Sequence, residues 1–211
     1  MLTGKVAPFR DADEPSAIAK QPVAGPIAVG HLGLAGDEQA DRIHHGGPDK
    51  ALNYYPHDHY AYWRRAIGDH PLLAAPGAFG ENLSGEGLIE EDLCIGDRFR
   101  LGTTLVEVSH GRMPCWKISH RFAVPKLTSE VVRTGRAGWY FRVIEPGAVS
   151  AGDTLELTAR GHAEWSVDRA FALIVRGEGA RDLAALSELA EMAELATTWR
   201  SRAAGLLAQY R

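Results

Sequence analysis

The chain has only two cysteines, Cys94 and Cys115, too few for a disulfide framework or a four-cysteine zinc or iron–sulfur site. Any redox chemistry here must therefore borrow most of its apparatus. No run of 18 apolar residues occurs, so no transmembrane helix and no membrane partner are expected. The opening stretch, residues 1–15, lacks the apolar core of a signal peptide, and the expected location is the cytoplasm. The Gly-x-Gly-x-x-Gly fingerprint, the Gly-x-Ser-x-Gly elbow and the His-Glu-x-x-His zinc motif are all missing, which argues against Rossmann, serine-hydrolase and zinc-protease readings. Excess positive charge is missing too: 23 Lys and Arg stand against 27 Asp and Glu, so binding to a nucleic-acid polymer has no global electrostatic support.

What remains is an ordinary globular composition, with 45% hydrophobic and 24% charged residues over 211 positions. Area scaling gives roughly 9,600 Å² of folded surface, with about 70% of the unfolded surface buried, so a core forms without staples. The charge is unevenly spread. Between Arg112 and Arg142 there are seven bases and the single acid Glu130, a net +6, leaving −10 for the rest. A local basic segment in an acidic chain points to a small anionic ligand; a solvated face balanced by acids elsewhere would give the same pattern.

Residues 1 to about 160 read as β-rich. The clearest hairpin runs from Asp97 through the turn Gly102-Thr103 to His110, with Gly102 suited to a type II′ turn. Trp139–Ile144 and Ala151–Ala159 are further strand segments, the second led in by a Gly-Asp turn like the one before Arg98. One helix is expected to interrupt the strands, over Pro56–Ile67 with Gly68 as its stop. After Ser166 the composition turns to Ala, Leu, Glu and Arg. Ser166 and Asp182 can cap two short helices, one ending near Gly177 and one around Leu183–Met192, and a third is expected over about Thr198–Tyr210. The expected organisation is a mainly β, barrel-like domain over residues 1–162, followed by a small three-helix bundle over 163–211. The bundle carries no catalytic set of its own, so packing on the barrel or a homodimer contact is its expected role.

Three loops could carry chemistry. Cys115 follows a strand and a proline and is flanked by Arg112 and Lys117; nearby cations favour the thiolate, which is the nucleophile and the soft-metal ligand. A small buried hydrophobe is the competing role for this cysteine, and the main one for Cys94, which has no cations beside it. His44-His-Gly-Gly-Pro-Asp-Lys50 can form a tight loop whose N–H groups and Lys50 would cradle a phosphate, or a plain turn. Pro76-Gly-Ala-Phe-Gly-Glu-Asn-Leu83 can bring backbone and Asn82 close to a ligand. His31, His44, His45, His57 and His59 cluster early, but not at the spacing of a zinc helix.

Taken together these loops resemble the MOSC family (molybdenum cofactor sulfurase C-terminal domain), and within it the YiiM-like, 6-hydroxylaminopurine-resistance subgroup. The matching segments run in order: Gly36–Asp41, His45–Ala51, Tyr55–Tyr60, Gly77–Leu83, Ile95–Asp97, Arg112–Lys117 and Gly138–Val143. The tail from Trp165 resembles the three-helix domain of that subgroup. One position departs: the subgroup usually has Gln where this chain has Met113. The resemblance implies a β-barrel-like fold that binds molybdenum cofactor, a pterin dithiolene ending in a phosphate, with Cys115 as the catalytic thiolate on molybdenum. Lys50, Asn82 and Arg112, together with His45 and Lys117, are the cofactor contacts it implies. The implied reaction is reduction of N-hydroxylated base analogues and hydroxylamines to amines, with electrons from an external flavoprotein reductase and a proton from His45, His110 or His120. A non-catalytic carrier of the cofactor, or of a Cys115 persulfide, is the alternative.

Overall fold

The computed structural model describes residues 1–9, 12–41 and 44–210 and exposes 9973 Å² of surface, near the value that chain length alone predicts. Its strands are β1 (Leu2–Thr3), β2 (Ala7–Phe9), β3 (Ala12–Ser16), β4 (Gln21–Pro22), β5 (Ile27–Gly30), β6 (Gly33–Leu34), β7 (Leu52–Pro56), β8 (Leu83–Gly85), β9 (Arg98–Leu101), β10 (Thr104–Gly111), β11 (Trp139–Glu145), β12 (Gly147–Val149) and β13 (Leu155–Ala159). The helices are α1 (His59–Ile67), α2 (Trp116–Phe122), α3 (Leu127–Thr134), α4 (Val167–Ile174), α5 (Leu183–Glu191) and α6 (Thr197–Tyr210). No helix is long and apolar enough to cross a membrane among the described residues.

Six strands form one curled half-barrel sheet in the order β13-β9-β10-β11-β7-β8, antiparallel except for the β7–β8 pair. The β9–β10 turn is of the expected kind: Gly102 sits at φ 55°, and Thr103 does not share that positive φ. The core lies on the sheet and under α1. Tyr54 stacks on Trp139 with centroids 4.3 Å apart, and Tyr55 stacks on Phe79 at 4.1 Å. Three smaller sheets wrap this one; β2 and β3 form a hairpin, and β1 pairs with β4.

The tail helices begin where their caps predict. The Ser166 hydroxyl accepts from Arg169 N at 3.1 Å, and the Asp182 carboxylate accepts from Ala185 N at 2.9 Å. They are sewn to the barrel by backbone bonds, Ile95 N to Trp165 O at 2.9 Å, Val167 N to Leu93 O at 3.0 Å and Ala196 N to Ser109 O at 3.0 Å, and just ahead of them the buried Asp97 carboxylate accepts from Cys94 N, Gly161 N and Arg160 Nη1 at 2.7–2.8 Å. The Ile95-Gly-Asp97 motif is therefore a structural clasp.

One expectation is corrected. The strands are interrupted by more than the helix α1: α2 and α3 also lie between β10 and β11. Each is held by a single apolar pair one turn apart, Ile118 with Phe122 and Leu127 with Val131, all at most 1% exposed. The two are stapled by a 2.7 Å Ser119–Thr128 hydroxyl bond and end in left-handed caps at Ala123 and Gly135. Helices of seven and eight residues have no stability of their own, so packing and not local pattern decides them.

Candidate functional site

Sheet register builds the floor of the site. Asn53 of β7, Tyr140 of β11 and His110 of β10 lie side by side in register, so their side chains share one face. At the end of β10 the chain turns over this face: Arg112 N donates to Gly138 O at 2.9 Å, and Cys115 immediately precedes α2. Gly138 is required here. It sits at φ 75°, and a Cβ on it would lie 2.3 Å from the Tyr54 carbonyl oxygen.

Two cavities meet at Cys115, which is free and half-buried. The smaller, about 80 Å³, runs inward past Asn53, Asn82, Lys20 and Arg112. The larger, about 640 Å³, opens toward the tail. Asp41, His45, Lys50, Lys117 and Tyr140 line both. The structure thus brings together every residue that the sequence singled out for the cofactor, from three separate stretches of chain.

Their jobs differ. Arg112 is 6% exposed, pairs with no carboxylate among the described residues, and has its Nη1 buried with no hydrogen-bond partner. A desolvated, unpaired guanidinium is costly and marks a place for an anion. Lys117, 7% exposed, donates to Pro15 O at 3.2 Å and has only the exposed Glu14 carboxylate nearby, at 3.6 Å. Lys50 donates to His44 O at 2.7 Å, which closes the Gly-Gly-Pro loop, and burial lowers its pKa. His45 stands 3.5 Å from Asp41; burial, and after it the charge on Arg112, depress its pKa below the ordinary imidazole value. Asn82 lines the cavity, but its amide is spent within the protein. Nδ2 donates to Asp37 Oδ2 (2.8 Å) and Leu2 O (3.2 Å), and Oδ1 accepts from Asn53 N (3.1 Å). Its loop is pinned by the buried Glu81 carboxylate, which accepts from Gly77 N, Phe79 N and Tyr60 OH. Asn82 thus positions the wall of the cavity.

The basic segment is only partly a ligand site. Arg142 is bound to Glu107 and Asp49, Arg133 to Glu130, and Arg121 to the carbonyls of Ala78 and Gly77; Arg136 lies 4.2 Å over the Tyr62 ring, and Lys126 is exposed. Only Arg112 and Lys117 reach the two cavities, because the two helices, the strand and the loops between them aim the seven bases in different directions. The early histidines also disperse. His57 pairs with Glu86, His59 with Glu90 and His31 with the Val143 carbonyl, and no metal-ligating group of three forms among the described residues.

Several contributors were not among the residues that the sequence singled out for the cofactor. Lys20 and Asp37, an almost fully buried ion pair, form one side of the small cavity, and burial outweighs Asp37 in lowering the Lys20 pKa. The tail was expected to pack on the barrel or to make a homodimer contact; Thr198, Trp199 and Arg202 of α6 also line the larger cavity. It is tied there by Asp49, whose Oδ1 holds Arg142 (3.0 and 2.8 Å) and whose Oδ2 accepts from Thr197 N (3.3 Å).

Comparison with known sequences and structures gives this geometry a family. The sequence model of the MOSC domain matches residues 41–156. Protein YiiM of Escherichia coli (strain K12) is 46% identical over 160 residues, which cover 76% of this chain and 71% of that protein. The chain belongs to the MOSC family. The crystal structure of YiiM from Geobacillus stearothermophilus superposes with a TM-score of 0.82 at 33% identity, over 98% of this chain and 96% of that one, so this MOSC chain falls in the YiiM-like group, tail included. A protein of Gibberella moniliformis named "Reductase" is 43% identical over 153 residues, spanning 72% of this chain but only 27% of that protein.

Proposed function

We propose that this chain is a molybdenum-cofactor-dependent reductase of N-hydroxylated compounds. The observation that carries the reading is the free Cys115 at the meeting point of two cavities, beside the buried and unpartnered guanidinium of Arg112. A soft thiolate suits a metal already held by dithiolene sulfurs, and an unpaired buried cation suits the cofactor's phosphate. Cys115 would hold the metal; Arg112, Lys117 and Lys50 would hold the anionic end. When bound, the cofactor supplies two-electron reduction: R–NHOH, two electrons and two protons give R–NH₂ and water.

The chain's own residues bind, shield and deliver a proton. His110 is a poor donor. Burial holds its pKa at about 4, and its Nδ1 is 2.7 Å from the Gly111 carbonyl oxygen, a bond that spends its one N–H. His120 lines neither cavity. His45 lines both, and in this reading its ring passes the proton to the departing oxygen. The electrons would come from an external flavoprotein reductase. The fungal relative supports a donor outside this fold, since its name is "Reductase" and most of its length has no counterpart here.

The test is anaerobic purification from a host that makes the cofactor, with molybdenum and pterin measured on one sample. Near one of each per chain is expected, along with reduction of 6-hydroxylaminopurine when a flavoprotein reductase is supplied. Cys115→Ser should stay folded, because the side chain is half-buried, and lose both metal and turnover. A folded serine variant with full activity would overturn the ligand role, and a loaded protein that never turns over would be a carrier.

A further inference from the structure

The larger cavity is not enclosed by the barrel alone. Part of its wall is α6, where Thr198 and Arg202 are exposed one turn apart on one helix face and Trp199 lies between them in sequence. Trp199 is held rigidly, stacked on His110 with centroids 5.4 Å apart and planes at 19°. Gly111 permits this approach, since a Cβ there would lie 3.1 Å from the Trp199 ring. The remaining apolar lining comes from Met113 and Trp116, on either side of Pro114-Cys115.

These two side chains are unusual in the molecule. Met113 is 40% exposed and Trp116 is 48% exposed, though both line a concave cleft beside the one cysteine that faces it. Trp116 is propped at its edges by Phe9 and His120, with centroids 6.0 and 5.7 Å away, and is not sunk into the core. Large apolar side chains left wet inside a cleft are surface that a ligand would cover. Two indoles and an imidazole are the chemistry of a flat ring.

Resting on the reductase reading above, we propose that the α6 face and the Met113–Trp116 rim form the substrate's ring-binding subsite, selecting aryl and heteroaryl hydroxylamines over hydroxylamine itself. Trp116 is its principal contact, Trp199 its fixed wall, and Thr198 and Arg202 its polar edge. Trp116 and Thr198 therefore determine specificity, and the helical tail is part of the binding site.

The experiment uses the cofactor-loaded full chain, with 6-hydroxylaminopurine as the ring probe and hydroxylamine as the ringless one. Trp116→Ala, Trp116→Phe and Thr198→Trp all change exposed side chains, so the variants should keep the wild-type Tm. Calorimetric titration with 6-hydroxylaminopurine, in the absence of reductant, gives affinity apart from turnover. Stacking on a protein ring supports about a tenfold weakening in Trp116→Ala, restored by Trp116→Phe. Thr198→Trp, which fills the slot, should weaken it comparably. The ratio of kcat/KM for the purine to that for hydroxylamine should fall with the affinity. Wild-type affinity in both Trp116→Ala and Thr198→Trp would overturn the subsite, as would equal loss of kcat/KM on the two substrates. Binding that depends on Trp116 without any reduction would sink the reductase reading and leave the subsite standing. Reduction of both substrates with no such dependence would do the reverse.

Discussion

Replacing Arg112 by methionine removes a cation that is buried without a partner among the described residues. The guanidinium is 6% exposed, its Nη1 meets no acceptor, and no carboxylate pairs with it among the described residues. Leaving a buried polar group unsatisfied costs about 1–3 kcal/mol, and methionine replaces it with an apolar side chain of similar reach. The cofactor-free variant should therefore be more stable than the wild type. For a chain of this size one kcal/mol moves Tm by about 2–4 °C, so a gain near the middle of that range raises Tm by about 4–8 °C. The advantage should invert when an anion is supplied. A ligand at one hundred times its Kd adds about 2.7 kcal/mol to the protein that binds it, and the variant should forgo most of that. Differential scanning calorimetry of both proteins, with and without inorganic phosphate, reads the two effects together. A lower Tm for the variant without phosphate would show that Arg112 is an ordinary structural cation, and the argument for an anion site would fail.

Two further outcomes follow from the same geometry. Asp49→Ala cuts the ties to Arg142 and to the first N–H of α6, while Arg142 keeps Glu107; hydrogen exchange should show α6 opening earlier at a cost of about 1–2 kcal/mol, and unchanged protection would refute the tether. His110 has a folded pKa lowered to about 4 against an unfolded value of 6.5, so the unfolded state takes up a proton that the native state refuses. Its contribution is intact above pH 6.5 and is lost as pH falls toward 4, by about 3 kcal/mol in all. His110→Phe should flatten that slope in Tm between pH 7.5 and 5, and an identical slope would show that another group drives it.

Much of this molecule is legible in its sequence, and the illegible parts share a cause. The β9–β10 hairpin, the strand at Trp139 and the capped tail helices are written in local signals: a glycine that tolerates positive φ, alternation, and a serine or aspartate at a helix start. Cys115, Arg112, Lys50 and the Gly-Gly-Pro loop could be found because they stand in compact motifs. Helices α2 and α3 could not, since each rests on one apolar pair that only the tertiary core rewards. The basic segment misled for a related reason: charge counted along the chain ignores direction, and five of the seven bases point away from the cavities. Lys20 and Asp37 meet through a fold of the N-terminal hairpin region, and Trp199 reaches the site from the far end of the chain. No local window holds either pairing.

The seam between barrel and tail has a consequence for how such proteins diverge. The stretch that matches the MOSC domain, residues 41–156, contains Cys115, Arg112, Lys117 and Lys50, while Trp199 and Arg202 lie beyond it. The thiol end of the cleft and its far wall therefore lie in separate stretches of sequence. Substitutions in α6 can reshape that wall without touching the residues around the thiol. Any exchange of tails between relatives must respect many joints: Asp49 against the start of α6, the backbone bonds that tie Trp165 to Ile95, Val167 to Leu93 and Ala196 to Ser109, and the stack of Trp199 on His110. A wall joined this broadly is easier to reshape through its exposed side chains, Thr198 and Arg202, than by exchange of the whole tail.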